Sequence, residues 1–340
     1  MKDFELTESC LQSSTPVYME MGVTDAAYSY RGVCALARAE RANAMVGHLG
    51  AAVIAGSFFL EQHPELDGSV QTAIAGELDR IIGGEESLWF DPTKSAITIP
   101  KLFEPFPKTR SQSDGIAVLA EALAANIDET RQSGHNVIFT ALAIRALASH
   151  PAYATPEIVA GIRALIAKFD GTIPGRGYYG AKAGWITGDR VPLPVGDDLP
   201  PYASEQSLVT AVMDELVSSA AMRRQGFGGL HHIINHAAAL VDLSRYGYGE
   251  LARRGFAAHR RHILLWRSLP DVEDELGVLP PAAHDPRRPA YWRHSGASTP
   301  WSARLTHRVK TLYGFFTLAP LVEDPARRDQ AETQFRYLMG

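Results

Sequence analysis

Residues 229–240, GLHHIINHAAAL, place three histidines within six positions and then run into small apolar side chains. His232 and His236 are four apart and share one face of a helix, while His231 and His236 are five apart. Imidazole is the ordinary acid or base near neutral pH and, when neutral, a good ligand for iron, copper or zinc. Three more histidines stand in comparable settings: His48 in AMVGHLGAAVIAG, His135 in SGHNVIFTALAIRAL and His307 ahead of RVKTLYGF. Burying an imidazole costs free energy unless it is hydrogen-bonded. Histidines in several apolar helices are therefore explained more simply by one shared polar site than by separate accidents. The candidate catalytic set is His48, His135, His232, His236 and His307, with His231 as the substitute for His232. No carboxylate stands beside them, as a non-haem iron site would ordinarily want. Acid–base chemistry accordingly comes first and no metal is assigned; His135, His232 and His236 are the ligands if one binds. His63, His150, His284 and His294 adjoin prolines or loops and read as surface residues. His259 and His262 flank Arg260 and Arg261 and read as part of a basic, solvated helix face.

Helices must position these side chains. Apolar residues recur at i, i+3, i+4 and i+7 over residues 34–60, 68–83, 114–131, 136–149, 156–169, 205–222, 230–245, 248–266, 302–321 and 325–338. Thr155-Pro156-Glu157 supplies a cap, a first-turn proline and an early acid. Strand patterns are scarce, and only SAITI at residues 95–99 alternates. The class expected is all-α, a single domain over residues 1–340 with a polar N-terminal segment at 1–30. His48, His135, His236 and His307 each open an apolar helix, at separations of 87, 101 and 71 residues. A ring or toroid of helical hairpins would bring the equivalent ends of those helices to one central cavity. Two long Pro/Gly-rich inserts, 171–204 and 268–300, interrupt the helices, and such lengths often serve as pocket walls. The first holds Tyr178, Tyr179 and Trp185; with Tyr313 and Phe316 these are the aromatic residues placed to stack on a substrate ring.

Composition narrows the classes. The 340 residues are 46% hydrophobic and 21% charged, with a net charge of -5, which suits a globular chain and lacks the basic excess of a nucleic-acid binder. Cys10 and Cys34 make no disulfide framework, and Cys34 lies among Ala and Leu as a buried thiol. The start, MKDFELTESCLQSS, is no signal peptide, and no apolar run is expected to reach a membrane span. A cytoplasmic setting follows, without a membrane or nucleic-acid partner, and a homodimer is compatible. GRGYYG at 175–180 matches GxGxxG in letters only, because no strand precedes it and no helix follows promptly; a turn-rich loop is expected. Asp197 and Asp198 read as solvated loop acids.

Four stretches resemble the questin oxidase-like family: NAMVGHLGAAVIAG (43–56), GHNVIFTALAIRALASHPAYATPEIVAGIRALIA (134–167), LHHIINHAAALVDL (230–243) and LTHRVKTLYGFFTLAPLVEDPARRDQAETQFRYL (305–338). The last carries a lysine near its histidine. The stretches 85–112, 171–204 and 268–300 have no counterpart. The resemblance implies an all-helical monooxygenase that inserts oxygen, in a Baeyer–Villiger-like manner, into a polycyclic aromatic ketone or quinone of secondary metabolism. It implies molecular oxygen and NADPH as co-reactants, and places His48, His135, His232, His236 and His307 on matching blocks. Three rivals stand beside it. One is a helical-toroid lyase, isomerase or hydrolase with a histidine-lined pocket. The second is a histidine-ligated metal enzyme. The third, a helical solenoid scaffold, predicts regular repeats that are not visible.

Overall fold

The computed structural model describes residues 25–193, 199–293 and 299–340. Most of the expected N-terminal segment, with Cys10, and the loop residues Asp197, Asp198 and His294 lie outside the described residues. The first half of the chain forms α1 (Asp25–Ala39), α2 (Gly47–Gln62), α3 (Gly68–Ile82), α4 (Ile99–Leu102), α5 (Gly115–Ala124), α6 (His135–Ser149) and α7 (Pro156–Ala167). A small hairpin, β1 (Arg176–Tyr178) and β2 (Trp185–Thr187), follows. The second half forms α8 (Glu205–Ser219), α9 (Gly229–Arg245), α10 (Gly249–Arg254), α11 (Phe256–Arg267), α12 (Glu273–Leu276), α13 (Pro289–Trp292), α14 (Arg304–Leu318) and α15 (Pro325–Phe335). The chain is all-α, as its periodicity predicts.

Local chemistry sets the helix ends. Asp67, Thr155, Ser204 and Asp324 each accept a first-turn amide, satisfying donors that a helix start leaves orphaned. The single helix expected over 34–60 is two, because Asn43 caps a separate turn through its own side chain and ends the run. The helix expected over 248–266 breaks at Gly255, where a Cβ would lie 2.5 Å from the Leu240 side chain. SAITI is not a strand; it leads through Ile99-Pro100 into the short α4. The strands that do form sit inside the glycine-rich insert, antiparallel, with Gly177 opposite Ile186.

Four helices make the centre. α2 packs on α6 and α14, and α9 packs on the same two, so α2, α6, α9 and α14 form a closed circuit. The remaining helices clothe them: α1 and α3 lie on α2, α5 and α7 on α6, and α8, α10 and α11 on α9. Residues 47–60 of α2 are buried without interruption, the mark of a helix apolar all round and enclosed by others. Gly32 and Gly50 let α1 and α2 nearly touch, since a Cβ on either would come within 2.8 Å of the other's carbonyl oxygen. Ala44–Gln62 is long and apolar enough to cross a bilayer, which corrects the expectation that no run reaches that length; 83% of its most apolar window is buried inside the protein. Cys34 is buried, as expected. Where a central cavity was expected, side chains meet. The void between the four helices, lined by Asn235, Asp242, Lys310 and Tyr313 among others, measures about 10 Å³, room for roughly one water.

Candidate metal centre

Each central helix brings a histidine in its first turn: His48 in α2, His135 at the start of α6, His232 in α9 and His307 in α14. His48 Nε2 lies 2.6 Å from His135 Nε2, and His232 Nε2 lies 2.9 Å from His307 Nε2. The His135 and His232 rings are 4.6 Å apart between centroids, and His48 and His307 are 5.2 Å apart. Ligand atoms of His48, His135 and His232 all lie within 4.8 Å of one another. Trp89 stacks on His48 at 3.9 Å and 5° between planes, closing one side.

The far nitrogens decide what this cluster can hold. His135 Nδ1 meets the carbonyl oxygen of Gln132, His232 Nδ1 that of Ser133 at 3.3 Å, and His307 Nδ1 that of Ala303 at 2.9 Å. A carbonyl oxygen only accepts, so these bonds put the proton on Nδ1 and leave a lone pair on Nε2. Lone pairs of His232 and His307 facing each other at 2.9 Å repel unless a proton or a cation lies between. Carbonyl-anchored imidazoles with free Nε2 atoms are the arrangement by which proteins orient metal-binding histidines. Burial pushes His135 down to about 3, assisted by the charge of Lys310 and opposed by the Gln132 carbonyl. Burial likewise holds His48, His232 and His307 well below the usual imidazole range, with Lys310 adding to the effect on each. At neutral pH the rings are therefore uncharged, as ligation requires. The positive N-terminal ends of four helices meet here too, which disfavours protonation of the rings.

Lys310, buried one turn after His307, contacts His48 Nδ1. Burial brings its amine down to about 7, against the pull of Glu86. The Glu86 carboxylate accepts the amides of Leu305 at 2.7 Å and Thr306 at 3.0 Å, and so fixes the start of α14. Lys310 was visible in sequence only as a lysine beside His307. Trp89 and Glu86 carried no signal, since both lie in an aperiodic stretch.

Two left-handed turns aim the ligands. Gln132, Ser133 and Gly134 have φ of 43°, 61° and 83°, and residues 226–229 are all positive in φ as well. Gly228 is required, because a Cβ there would come 2.2 Å from His232 Cγ. The GRGYYG region ties the two turns together. Gln132 and Ser133 donate to the carbonyls of Ile173 and Pro174, and Phe227 donates to that of Arg176, at 2.8–2.9 Å. The stretch is a clamp between two helix starts, and its hairpin replaces the loop expected there.

Other assignments need correction. His236 faces a second buried trio with His259 and His262: its Nδ1 lies 3.4 Å from His262 Nδ1, and its ring is 5.0 Å from that of His259. His48 therefore stands where His236 was expected in the ligand set. His259 and His262 are fully buried, not a solvated face; they bond the carbonyls of Ile233 and Phe227, while the half-buried Arg260 donates to the Leu199 carbonyl and Arg261 pairs with Glu129. His284 is exposed and His63 pairs with Glu65, in keeping with surface roles. The aromatic set does not line the four histidines. Tyr178 donates to Glu275, Tyr179 bonds Ser268, and Trp185 is 47% exposed beside Tyr178. Tyr313 is buried between Asp242 and Arg145, and Phe316 packs among Phe59, Phe315 and Phe335. Tyr313 is a core residue and Phe316 is half-buried against the core, both placed by α14. His231 is half-buried, with Nδ1 3.0 Å from Thr311 Oγ1. Solvent reaches the cluster through a cleft of about 270 Å³ lined by His231, Arg304, His307 and Arg308.

No family model, curated protein or solved structure matches the chain.

Proposed function

We propose that the chain is a metal-dependent oxidoreductase acting on an aromatic substrate that approaches through the cleft beside His307. The observation that supports it is the convergence of His48, His135 and His232, whose ligand atoms lie within 4.8 Å of one another, with His307 beside them, while the Nδ1 atoms of His135, His232 and His307 face main-chain carbonyls. This reverses the preference drawn from sequence. Imidazoles held so far below their usual range are scarce as imidazolium at neutral pH, so they serve poorly as acids and well as ligands. His48, His135 and His232 would hold a divalent first-row metal, and His307 would complete the set. Of the metals that accept imidazole ligands, iron and copper supply oxygen or redox chemistry. Trp89 shields one face from water, and Lys310, whose amine burial brings down to about 7, would as the neutral amine accept from His48 Nδ1–H and leave His48 Nε2 free to ligate.

Oxygen insertion into a hydroxylated polycyclic ketone or quinone, with NADPH as reductant, is the reaction the sequence resemblance suggests. Metal analysis of the purified chain should find stoichiometric iron or copper. Oxygen uptake should follow addition of hydroxyanthraquinone and NADPH. His135→Ala and His48→Ala should each lower metal content and turnover by more than about 100-fold while circular dichroism keeps its helical signature. A metal-free wild type, or full turnover in both variants, would retire the proposal.

A further inference from the structure

The cleft beside the histidines carries charge information that the metal reading does not use. Its two arginines differ. Arg308 is buried and already committed: it pairs with Glu77 of α3 and lies over the Trp292 ring at 5.2 Å. Arg304, the first residue of α14 and one turn before His307, is exposed, and among the described residues no carboxylate stands within ion-pair distance of it. Across the cleft His231 has a settled tautomer. The Thr311 hydroxyl donates to the His307 carbonyl at 2.7 Å, so it accepts from His231 Nδ1 at 3.0 Å. His231 Nε2 is then an acceptor.

The walls thus offer, beside the committed Arg308, the Arg304 guanidinium and one imidazole acceptor, with Ala303, Leu338 and Met339 as apolar neighbours, at the meeting point of four helix N-termini. Their complement is a ligand with an anionic oxygen beside a hydroxyl donor and an apolar body that can lie against Leu338 and Met339. The volume of about 270 Å³ is near the lower limit for small-molecule sites, enough for the functionalised end of a ring system.

We propose that this cleft recognises an anionic oxygen on the substrate, carboxylate or ionised phenol, with Arg304 as the residue that selects it and His231 accepting a neighbouring hydroxyl. The inference rests on the reaction-centre reading above and adds to it the charge of the substrate. Isothermal titration of the full chain with benzoate, 4-nitrophenolate and neutral benzamide at mildly alkaline pH tests it, with metal content measured on the same preparation. At least one anion should bind on the order of tenfold more tightly than benzamide; which of the two does so identifies the source of the charge. Arg304→Gln should bring anion and amide to parity, and Arg304→Lys should keep part of the preference. Neither change should alter metal content. Equal binding of anions and amide by the wild type overturns the inference, as does a preference that survives in Arg304→Gln. A chain that holds no metal but discriminates by charge would remove the metal reading and leave this one standing.

Discussion

At the scale of single residues, the decisive feature is which nitrogen of each imidazole is already taken. Main-chain oxygens occupy Nδ1 of His135, His232 and His307, so position in the helix and tautomer are set together. That pairing explains which histidines sequence could find. His48, His135, His232 and His307 were legible because each sits in the first turn of an apolar helix, where burial demands a shared polar purpose. His236 was misplaced because a four-residue spacing fixes the face of a helix but not the depth: His232 reaches the circuit's centre, and His236, one turn on, meets α11. His259 and His262 were hidden by Arg260 and Arg261 between them, since neighbouring positions on a helix point to different sides. The two buried rings carry a pH prediction. Burial brings His262 to about 4 and His259 to about 3. The unfolded chain takes up these protons near pH 6.5 while the folded chain refuses them. Stability is thus complete above pH 6.5 and is lost as pH falls from there toward 4 and then 3. Each ring costs about 1.4 kcal/mol per pH unit in that window. Thermal unfolding of His262→Gln against wild type between neutral pH and pH 5 checks it: the variant should show a shallower acid decline.

At the scale of elements, the helix starts matter more than the helix bodies. Periodicity located most of the long bodies, because an apolar stripe dictates them, but it merged α1 with α2 and α10 with α11 and carried α5 past its end at Ala124. It could not locate the left-handed turns at 132–134 and 226–229, which have no repeat, nor show that the 173–178 segment binds both. Gly228→Ala tests the turn. A methyl group placed 2.2 Å from His232 Cγ, at a φ of 71°, must displace the ring or the backbone. The strain alone costs roughly 1–3 kcal/mol, so chemical denaturation should register that loss. Metal binding should weaken in step. A Gly228→Ala chain with unchanged stability and metal affinity would show the turn to be incidental. Gly68→Ala, with open space around its Cβ, is the matched control.

At the scale of the whole molecule, the four histidines come from nearly the full described length of the chain, and neighbours in space are far apart in sequence: 87 residues separate His48 from His135, and 75 separate His232 from His307. A divalent ion gripped by all of them would act as a covalent staple does, closing several long loops at one knot. Loop closure restricts the unfolded chain more than the folded one, so the bound ion should behave as a cross-link that a chelator can cut. With free metal 100- to 1,000-fold above its dissociation constant, the added stability is roughly 3–4 kcal/mol. Stripping the ion with EDTA should lower the melting temperature and open the chain to protease, and His48→Ala should be indifferent to the treatment. The same geometry implies that no fragment cut between residues 150 and 225 can hold the ion by itself, and that its two halves should regain affinity only when mixed.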